Sequence, residues 1–280
     1  MRSSFFLLLL ASTSGWCDTQ TDLEYAKAGD WSLKLDLHRP QVVNPPLIIY
    51  VHGGAWRAGS KSDVPVAALL DHGFAIASVD YRLSTQARFP AQIHDIKAAI
   101  RFLRANATRL QVNAGKIAII GSSAGGHLAA LVGVTNGHKE LEGTIGDNLD
   151  QSSDVSCIVS FYGASNLQSI LGQSTEFGLT VRIPALKLLL GDVPEQKPDL
   201  AMLASPVAHL DKGDPPLLLI HGDADPQMPV TQSREFAKAY ETKKLPVTFI
   251  TMPGSKHGGA EFYAPEMMSR VAKLLEEHLR

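Results

Sequence analysis

Short apolar runs alternate along the chain with longer stretches whose apolar residues recur at helical spacing. Most of the runs are apolar at consecutive positions, which is typical of strands that are buried on both faces of a sheet. The runs are WSLKLDLH, PLIIYVHG, FAIASVDY, KIAIIGSS, VSCIVSFYG, PPLLLIHGD and PVTFITMPG. This alternation predicts the α/β class, with a doubly wound, mostly parallel sheet that is flanked by helices.

Predicted helices fill most of the intervals between these strands. They are VPVAALLDHG, AQIHDIKAAIRFLRANATRL, AGGHLAALVGV, VTQSREFAKAYETKK and PEMMSRVAKLLEEHLR. Residues 164–205 depart from the pattern, because a loop and one or two helices, at PALKLLLG and PDLAMLASP, replace a compact crossover. This long connection predicts either a small cap over a binding site or an ordinary crossover with an irregular loop.

The N-terminal residues place Arg2 before an apolar stretch that is too short to span a bilayer. We interpret residues 1–17 as a secretory signal peptide and residues 18–280 as a single domain. A chain of 280 residues, 45% of them hydrophobic, can bury one large core. We therefore expect a secreted or periplasmic protein that does not associate with a membrane once the signal peptide is removed.

Charge and cysteine content exclude several classes of partner and stabilising element. The formal net charge is −2 without a long run of one sign, so a nucleic-acid partner is not expected. Cys17 lies in the predicted signal peptide and Cys157 lies in an apolar run, so a disulfide framework is not expected either.

The motif GSSAGG, residues 121–126, joins a predicted strand to a predicted helix. A phosphate-binding P-loop needs a Lys followed by Ser or Thr, and a dinucleotide-binding loop needs Gly where Ser123 stands. The remaining reading is G-x-S-x-G with Gly121, Ser123 and Gly125, a strained turn that projects a nucleophilic serine above the sheet. In this reading Ser123 is the nucleophile and Ser122 is a small turn residue.

A serine nucleophile needs a general base and a carboxylate that orients the base, and both follow the serine in the chain. Asp225 follows one late apolar run and His257 follows the next, each in a loop rich in Gly and Pro. We prefer Asp225 to Asp223, which we read as a turn residue, and we read His221 and His209 as structural. No His or Cys spacing matches a metal site, so neither a metal nor another cofactor is expected.

The motif YVHGGAW follows an earlier strand, at the position where a related loop binds the oxyanion of the tetrahedral intermediate. We assign the oxyanion hole to backbone amides of Gly53, Gly54 or Ala55, together with the amide of Ala124 after the nucleophile.

These motifs resemble the α/β-hydrolase serine esterases, most closely small secreted esterases of the bifunctional acetylxylan and feruloyl esterase type. The hormone-sensitive-lipase-like and kynurenine-formamidase-like esterases share the HGGxW and serine motifs. The likeness covers almost all of residues 18–280 through HGGAWRAGSKSD, ASVDYRLS, FPAQIHDIKAAIRFLRANA, GSSAGGHLAAL, LLLGDVPEQKPDLAMLASPVAHL, PPLLLIHGDADPQMP and PGSKHG. By matching motif, it implies a catalytic triad of Ser123, Asp225 and His257. Trp56 and Asp95 match family patterns as well, although core packing explains both equally well.

The expected function is hydrolysis of a small-molecule or carbohydrate ester through an acyl-enzyme. Acetyl and feruloyl esters of plant polysaccharide are candidate substrates. Two alternatives remain open at this point: an amidase, peptidase or formamidase with the same triad, and a binding protein of this fold without catalysis.

Overall fold

The computed structural model describes residues 18–280, so the predicted signal peptide lies outside the described residues. The centre of the fold is an eight-stranded sheet in the order β1-β2-β4-β3-β5-β6-β7-β8. The strands are β1 (Asp18–Ala28), β2 (Trp31–Arg39), β3 (Pro46–Val51), β4 (Ala75–Val79), β5 (Asn113–Ser122), β6 (Cys157–Phe161), β7 (Leu217–Gly222) and β8 (Val247–Met252). Strand β2 is antiparallel to its two neighbours, β1 and β4. The six strands β3 to β8 are all parallel to one another. The predicted fold class is confirmed.

Helices cover both faces of the sheet. They are α1 (Ala91–Ala105), α2 (Ala107–Leu110), α3 (Ala124–Gly133), α4 (Lys139–Glu142), α5 (Ile170–Gln173), α6 (Glu176–Leu190), α7 (Pro198–Leu203), α8 (Thr231–Thr242) and α9 (Pro265–Leu279). Within the described part of the chain, no helix is both long and apolar enough to cross a bilayer.

The sheet separates two apolar layers, which explains why its central strands are apolar at consecutive positions. In β3, Leu47, Ile49 and Val51 face the larger layer, whereas Ile48 and Tyr50 face the smaller one. The larger layer includes residues of α1, α3, α6 and α8, and the smaller layer includes one face of α9. Side chains of a strand alternate between faces, so a strand covered on both sides must be apolar throughout.

Strand β1 has no counterpart in the sequence prediction. It lies at the edge of the sheet and pairs only with β2, with two register irregularities. Most of its residues are exposed or half-buried, and only Tyr25 and Ala26 are buried. An edge strand that contributes two side chains to the core shows no apolar run, so its sequence lacks the signal that identifies the other strands.

Two predicted helices differ from the structure. The segment VPVAALLDHG forms only a short 3-10 helix at Ala67–Leu70. The helix predicted to begin at Pro184 begins at Glu176, where the side chain of Thr175 accepts a hydrogen bond from the Gly178 N–H. Pro is most common in the first turn of a helix, but here Pro184 lies inside α6.

Helix α6 belongs to the long connection at 164–205 and has two structural roles. Its C-terminal half packs Ala185, Leu186 and Leu189 into the larger apolar layer. Its N-terminal half carries Val181 and Arg182 to the cavity at the carboxyl edge of the sheet. The connection is therefore part of the core and part of the wall of the candidate site.

Candidate active site

The carboxyl ends of the parallel strands meet at one edge of the sheet, and the predicted site residues follow three of these ends. Ser123 comes directly after β5, Asp225 lies in the loop after β7, and His257 lies in the loop after β8. The structure brings these three side chains together, although 134 positions separate Ser123 from His257 in the sequence.

Two hydrogen bonds connect the three side chains. His257 Nδ1 lies 2.7 Å from Asp225 Oδ2, and His257 Nε2 lies 2.8 Å from Ser123 Oγ. A carboxylate oxygen can only accept, so Nδ1 carries the hydrogen. In this tautomer Nε2 is an acceptor, and the Ser123 hydroxyl donates to it. This is the arrangement in which an imidazole can remove a proton from a serine.

The backbone of Ser123 is strained, with φ 55° and ψ −118°, a region that residues with a side chain rarely adopt. The turn is tight because backbone packs against backbone on both sides of it. A Cβ atom on Gly121 would lie 2.2 Å from the Gly125 carbonyl oxygen, and one on Gly125 would lie 2.0 Å from the Val51 carbonyl oxygen. Only glycine fits at these two positions, which is the physical reason for the motif.

Ser122 is placed differently from Ser123, although it also lines the cavity. Its hydroxyl forms a hydrogen bond of 2.9 Å with the hydroxyl of Tyr50, which is buried beneath the turn. The two adjacent serines therefore have different partners, and only Ser123 contacts the imidazole of His257.

Asp225 accepts hydrogen bonds from several directions. Besides His257, the backbone N–H groups of Gln227 and Met228 donate to Oδ1, each at 2.8 Å. Burial raises the pKa of this carboxyl, but the hydrogen bonds from His221 and His257 outweigh burial and hold the pKa well below its usual value. The carboxylate is therefore charged across the neutral range.

His221 contacts Asp225, a contact that the sequence prediction did not include. His221 is fully buried, and its Nε2 lies 3.2 Å from Asp225 Oδ2 and 3.0 Å from the Met228 carbonyl oxygen. Both neighbours are acceptors, so Nε2 carries the hydrogen, and Nδ1 accepts from the Ser233 hydroxyl at 2.7 Å. The ring is structural, as expected, but it also holds the carboxylate. The HGDAD spacing, with His and Asp four residues apart across a loop, was the available signal.

Asp223 connects the loop that carries Asp225 to the loop that carries His257. The sequence predicts a turn residue that bonds its own backbone, but Asp223 Oδ1 instead accepts from the Gly254 N–H of the neighbouring loop at 2.7 Å. The Ala224 N–H donates to the Ser255 carbonyl oxygen at 3.1 Å. These bonds fix the distance between the carboxylate and the imidazole.

The HGGAW loop turns sharply beside Ser123. Gly54, Ala55 and Trp56 all have positive φ, at 102°, 52° and 60°. A Cβ atom on Gly54 would lie 2.1 Å from the Ala58 carbonyl oxygen, so this position requires glycine. Two successive residues with side chains in the left-handed region represent stored strain, which is common at functional sites.

The predicted oxyanion residues lie around the serine. Gly53, Gly54 and Ala55 line the same cavity as Ser123, and Ala124 is buried at the first position of α3. Within residues 18–280, the N–H groups of Gly54, Ala55 and Ala124 have no hydrogen-bond acceptor. Unpaired amides at a strained loop and at a helix N-terminus are suited to a developing negative charge.

The two further motif residues, Trp56 and Asp95, are buried away from the reacting groups. Trp56 Nε1 donates to His127 Nδ1 at 3.1 Å, and Asp95 accepts three side-chain bonds and one backbone bond from Arg82. Burial lowers the pKa of His127 to about 4, so this ring is neutral and accepts from the indole. Both motif residues fix the shape of the fold around the site.

Tyr162 packs against the imidazole and was not predicted from sequence. Its ring lies 4.9 Å from the ring of His257 in an edge-on arrangement, and its hydroxyl lies 2.6 Å from that of Tyr263. The residue has φ 40°, in the loop after β6. It therefore restricts the position of the His257 ring.

A cavity of about 470 Å³ opens above Ser123 and His257. Helix α6 contributes Val181 and Arg182 to its wall, while Arg57 and Asp63 line its exposed side. Burial lowers the pKa of the Arg182 guanidinium to about 10, so the side chain is charged at neutral pH. Among residues 18–280, no group of three or more His, Cys, Asp or Glu side chains is arranged to hold a metal ion.

The parallel sheet, the strained serine turn and the loops that follow β7 and β8 define an α/β-hydrolase fold. The chain belongs to the BD-FAE family, whose model matches residues 35–240. The expected resemblance to α/β-hydrolase esterases is confirmed.

Named relatives and solved structures agree with this family. Esterase LipC of Mycobacterium tuberculosis is 31% identical over 217 residues, which cover 76% of this chain and 53% of LipC. The chain spans about half the length of the curated relatives it matches.

Two solved structures are similar over most of the chain. A truncated form of a carbohydrate esterase from gut microbiota has a TM-score of 0.86 and 33% identity, covering 95% of this chain and 98% of that one. An acetyl ester-xyloside bifunctional hydrolase from Caldicellulosiruptor lactoaceticus has a TM-score of 0.74 and 27% identity, covering 89% of each chain.

Proposed function

We propose that this protein is a serine hydrolase that cleaves carboxylic esters through an acyl-enzyme, with Ser123 as nucleophile, His257 as general base and Asp225 as its orienting carboxylate. The observation that carries the proposal is the pair of hydrogen bonds, 2.8 Å and 2.7 Å long, that connects these three side chains beside an open cavity. Esterases among the relatives and structural neighbours support the same reaction class.

In the first half-reaction, Ser123 Oγ attacks the ester carbonyl carbon while its proton moves to His257 Nε2. The carbonyl oxygen becomes an oxyanion, which the N–H groups of Ala124 and of Gly54 or Ala55 stabilise, with Gly53 as the further candidate donor. The intermediate collapses, the bond to the alcohol oxygen breaks, and His257 returns its proton to the leaving alcohol. An acyl-Ser123 ester remains.

The second half-reaction repeats these steps with water. His257 Nε2 takes a proton from the water, the hydroxyl oxygen attacks the acyl carbon, and the Ser123 oxygen leaves with the proton from His257. Asp225 stays charged throughout and stabilises the imidazolium, because its pKa is held low by its hydrogen-bond donors. The products are a carboxylic acid and free enzyme.

The substrate class that we propose is an acetyl ester of a carbohydrate. The support comes from the printed names of two neighbours, a carbohydrate esterase and an acetyl ester-xyloside hydrolase. Feruloyl esters are the alternative within the same reaction.

We also propose that residues 1–17 act as a secretory leader. Determining the N-terminal sequence of the exported protein tests this proposal. Export with Met1 still in place would contradict it.

The test of the reaction class combines activity with labelling. Purified protein is expected to hydrolyse 4-nitrophenyl acetate, and a fluorophosphonate is expected to add covalently to Ser123, as identified by peptide mass spectrometry. Cleavage of acetyl anilides as fast as esters would favour an amidase instead. Failure of both hydrolysis and labelling in the folded protein would favour a binding protein.

A further inference from the structure

Arg182 is a buried cation without a charged partner. Its side chain is 2% exposed, and its Nη2 donates to the Gln227 carbonyl oxygen at 2.8 Å. Its Nε is buried without a hydrogen-bond partner. Within the described residues, no carboxylate lies within ion-pair distance of the guanidinium, although the charge of Asp225 is near enough to affect it. A charged group in this position is unfavourable unless something pairs with it.

Other buried cations in the same chain have the partners that Arg182 lacks. Three more Lys or Arg residues are buried among residues 18–280, and each forms an ion pair: Arg39 with Asp18, Lys97 with Glu142, and Arg101 with Glu142. These pairs lie away from the cavity and hold elements of the fold together. The absence of a carboxylate at Arg182 is thus specific to the position that faces the candidate site.

The guanidinium is held in place from two sides. It lies over the ring of Trp56 at 5.9 Å, and Trp56 is itself fixed through its hydrogen bond to His127. The Gln227 carbonyl oxygen holds it from the loop that carries Asp225. An arginine that is ordered before a ligand arrives loses little further entropy when it binds one.

We propose that Arg182 binds a carboxylate group of the substrate, so that the enzyme acts on esters of acidic alcohols, such as acetylated acidic sugars. This inference rests on the proposed function. Arg182 lines the same cavity as Ser123 and His257, which allows one molecule to reach both the nucleophile and the guanidinium. The planar fork of arginine matches a carboxylate with two parallel hydrogen bonds. An acetyl group has no acid of its own, so the carboxylate belongs to the alcohol portion.

The experiment uses a matched pair of substrates that differ only in charge: the methyl glycoside of an O-acetylated glucuronic acid and the corresponding glucuronamide. Acetate release gives kcat/KM for each. The wild-type protein is expected to prefer the carboxylate by about tenfold or more, the effect of one charge-assisted hydrogen bond. Arg182→Gln is expected to bring the ratio close to one, and Arg182→Lys to keep part of it because it keeps the charge.

Arg57→Gln is the control variant, because Arg57 lines the same cavity but is exposed. It removes the same charge, so a general electrostatic effect would lower the ratio in both variants, whereas binding at Arg182 lowers it only in Arg182→Gln. A wild-type ratio near one, or loss of the preference in Arg57→Gln instead, would overturn the inference. If the preference for the carboxylate is missing but the wild-type protein hydrolyses 4-nitrophenyl acetate, only the inference about Arg182 fails. If the wild-type protein does not hydrolyse 4-nitrophenyl acetate, the proposed function itself is overturned.

Discussion

The Nε2 atom of His221 lies 3.2 Å from Asp225 Oδ2, the same oxygen that accepts the hydrogen bond from His257. Two imidazoles thus meet at one carboxylate oxygen, one facing the cavity and one fully buried. The buried ring stabilises the charged form of Asp225 and restricts the direction in which its oxygens point. His221 is therefore a positioning residue in the proposed mechanism.

Replacing His221 should lower turnover more than substrate binding. In His221→Leu the carboxylate loses one donor, and we expect kcat to fall about tenfold or more with a smaller change in KM, because the orientation of His257 is affected. His221→Gln, which retains an N–H donor, should recover part of the loss. Steady-state kinetics with 4-nitrophenyl acetate provide both constants.

His209→Ala is the control for this variant, because His209 Nε2 bonds the Leu203 carbonyl oxygen and its ring packs against that of His138, neither of which is a site residue. A His221→Leu protein with unchanged kcat and lower thermal stability would show that the buried ring serves folding alone.

The adjacent serines should differ sharply in their effect on activity. Ser123→Ala removes the hydroxyl that forms a hydrogen bond with His257 Nε2, and we expect turnover to fall about 10⁴-fold or more. Ser122→Ala removes a hydroxyl that contacts Tyr50, and we expect a loss of less than about tenfold, because a neutral hydrogen bond is worth about 1 kcal/mol. Equal losses in the two variants would contradict the assignment of Ser123.

Glycine at position 125 is required by contact between backbones. A Cβ atom there would lie 2.0 Å from the Val51 carbonyl oxygen and 2.5 Å from that of His52, so Gly125→Ala must push α3 away from β3. We expect a loss of about 3 kcal/mol or more in the free energy of unfolding, because backbone cannot move aside as a flexible side chain can. Urea unfolding measures this change.

The matched control is Gly172→Ala, at a position in α5 where a Cβ atom meets no other atom within 4 Å. Its free energy of unfolding should change by less than about 1 kcal/mol, or increase, because alanine favours helix more than glycine does. Comparable destabilisation in both variants would show that the contact at Gly125 is relieved at little cost.

A site residue could be predicted from the sequence where its position follows from a local motif, but not where its position depends on how distant elements pack. Ser123, Asp225 and His257 follow β5, β7 and β8, and parallel strands bring their carboxyl ends to one edge of the sheet, so the order of the motifs along the sequence predicts that they lie together. Arg182 lies in a helix whose start was predicted eight residues too late, at Pro184 instead of Glu176. Its contact with Trp56 depends on how α6 packs across the cavity, and no local pattern encodes that packing.

The low pKa of Asp225 predicts how stability depends on pH. Its carboxyl is buried, which raises the pKa, but donors from His221 and His257 lower it below the value of the unfolded chain. A depressed native pKa stabilises the fold at pH values above the unfolded pKa, about 3.9, and this contribution is lost as the pH falls further. The difference in unfolding free energy between the wild-type protein and Asp225→Asn should therefore be larger at pH 5 than at pH 3. Below about pH 4 it should decrease by up to about 1.4 kcal/mol per pH unit, as followed by urea unfolding at each pH. A difference that stays flat down to about pH 3 would mean that the hydrogen bonds around Asp225 do not favour its charged form.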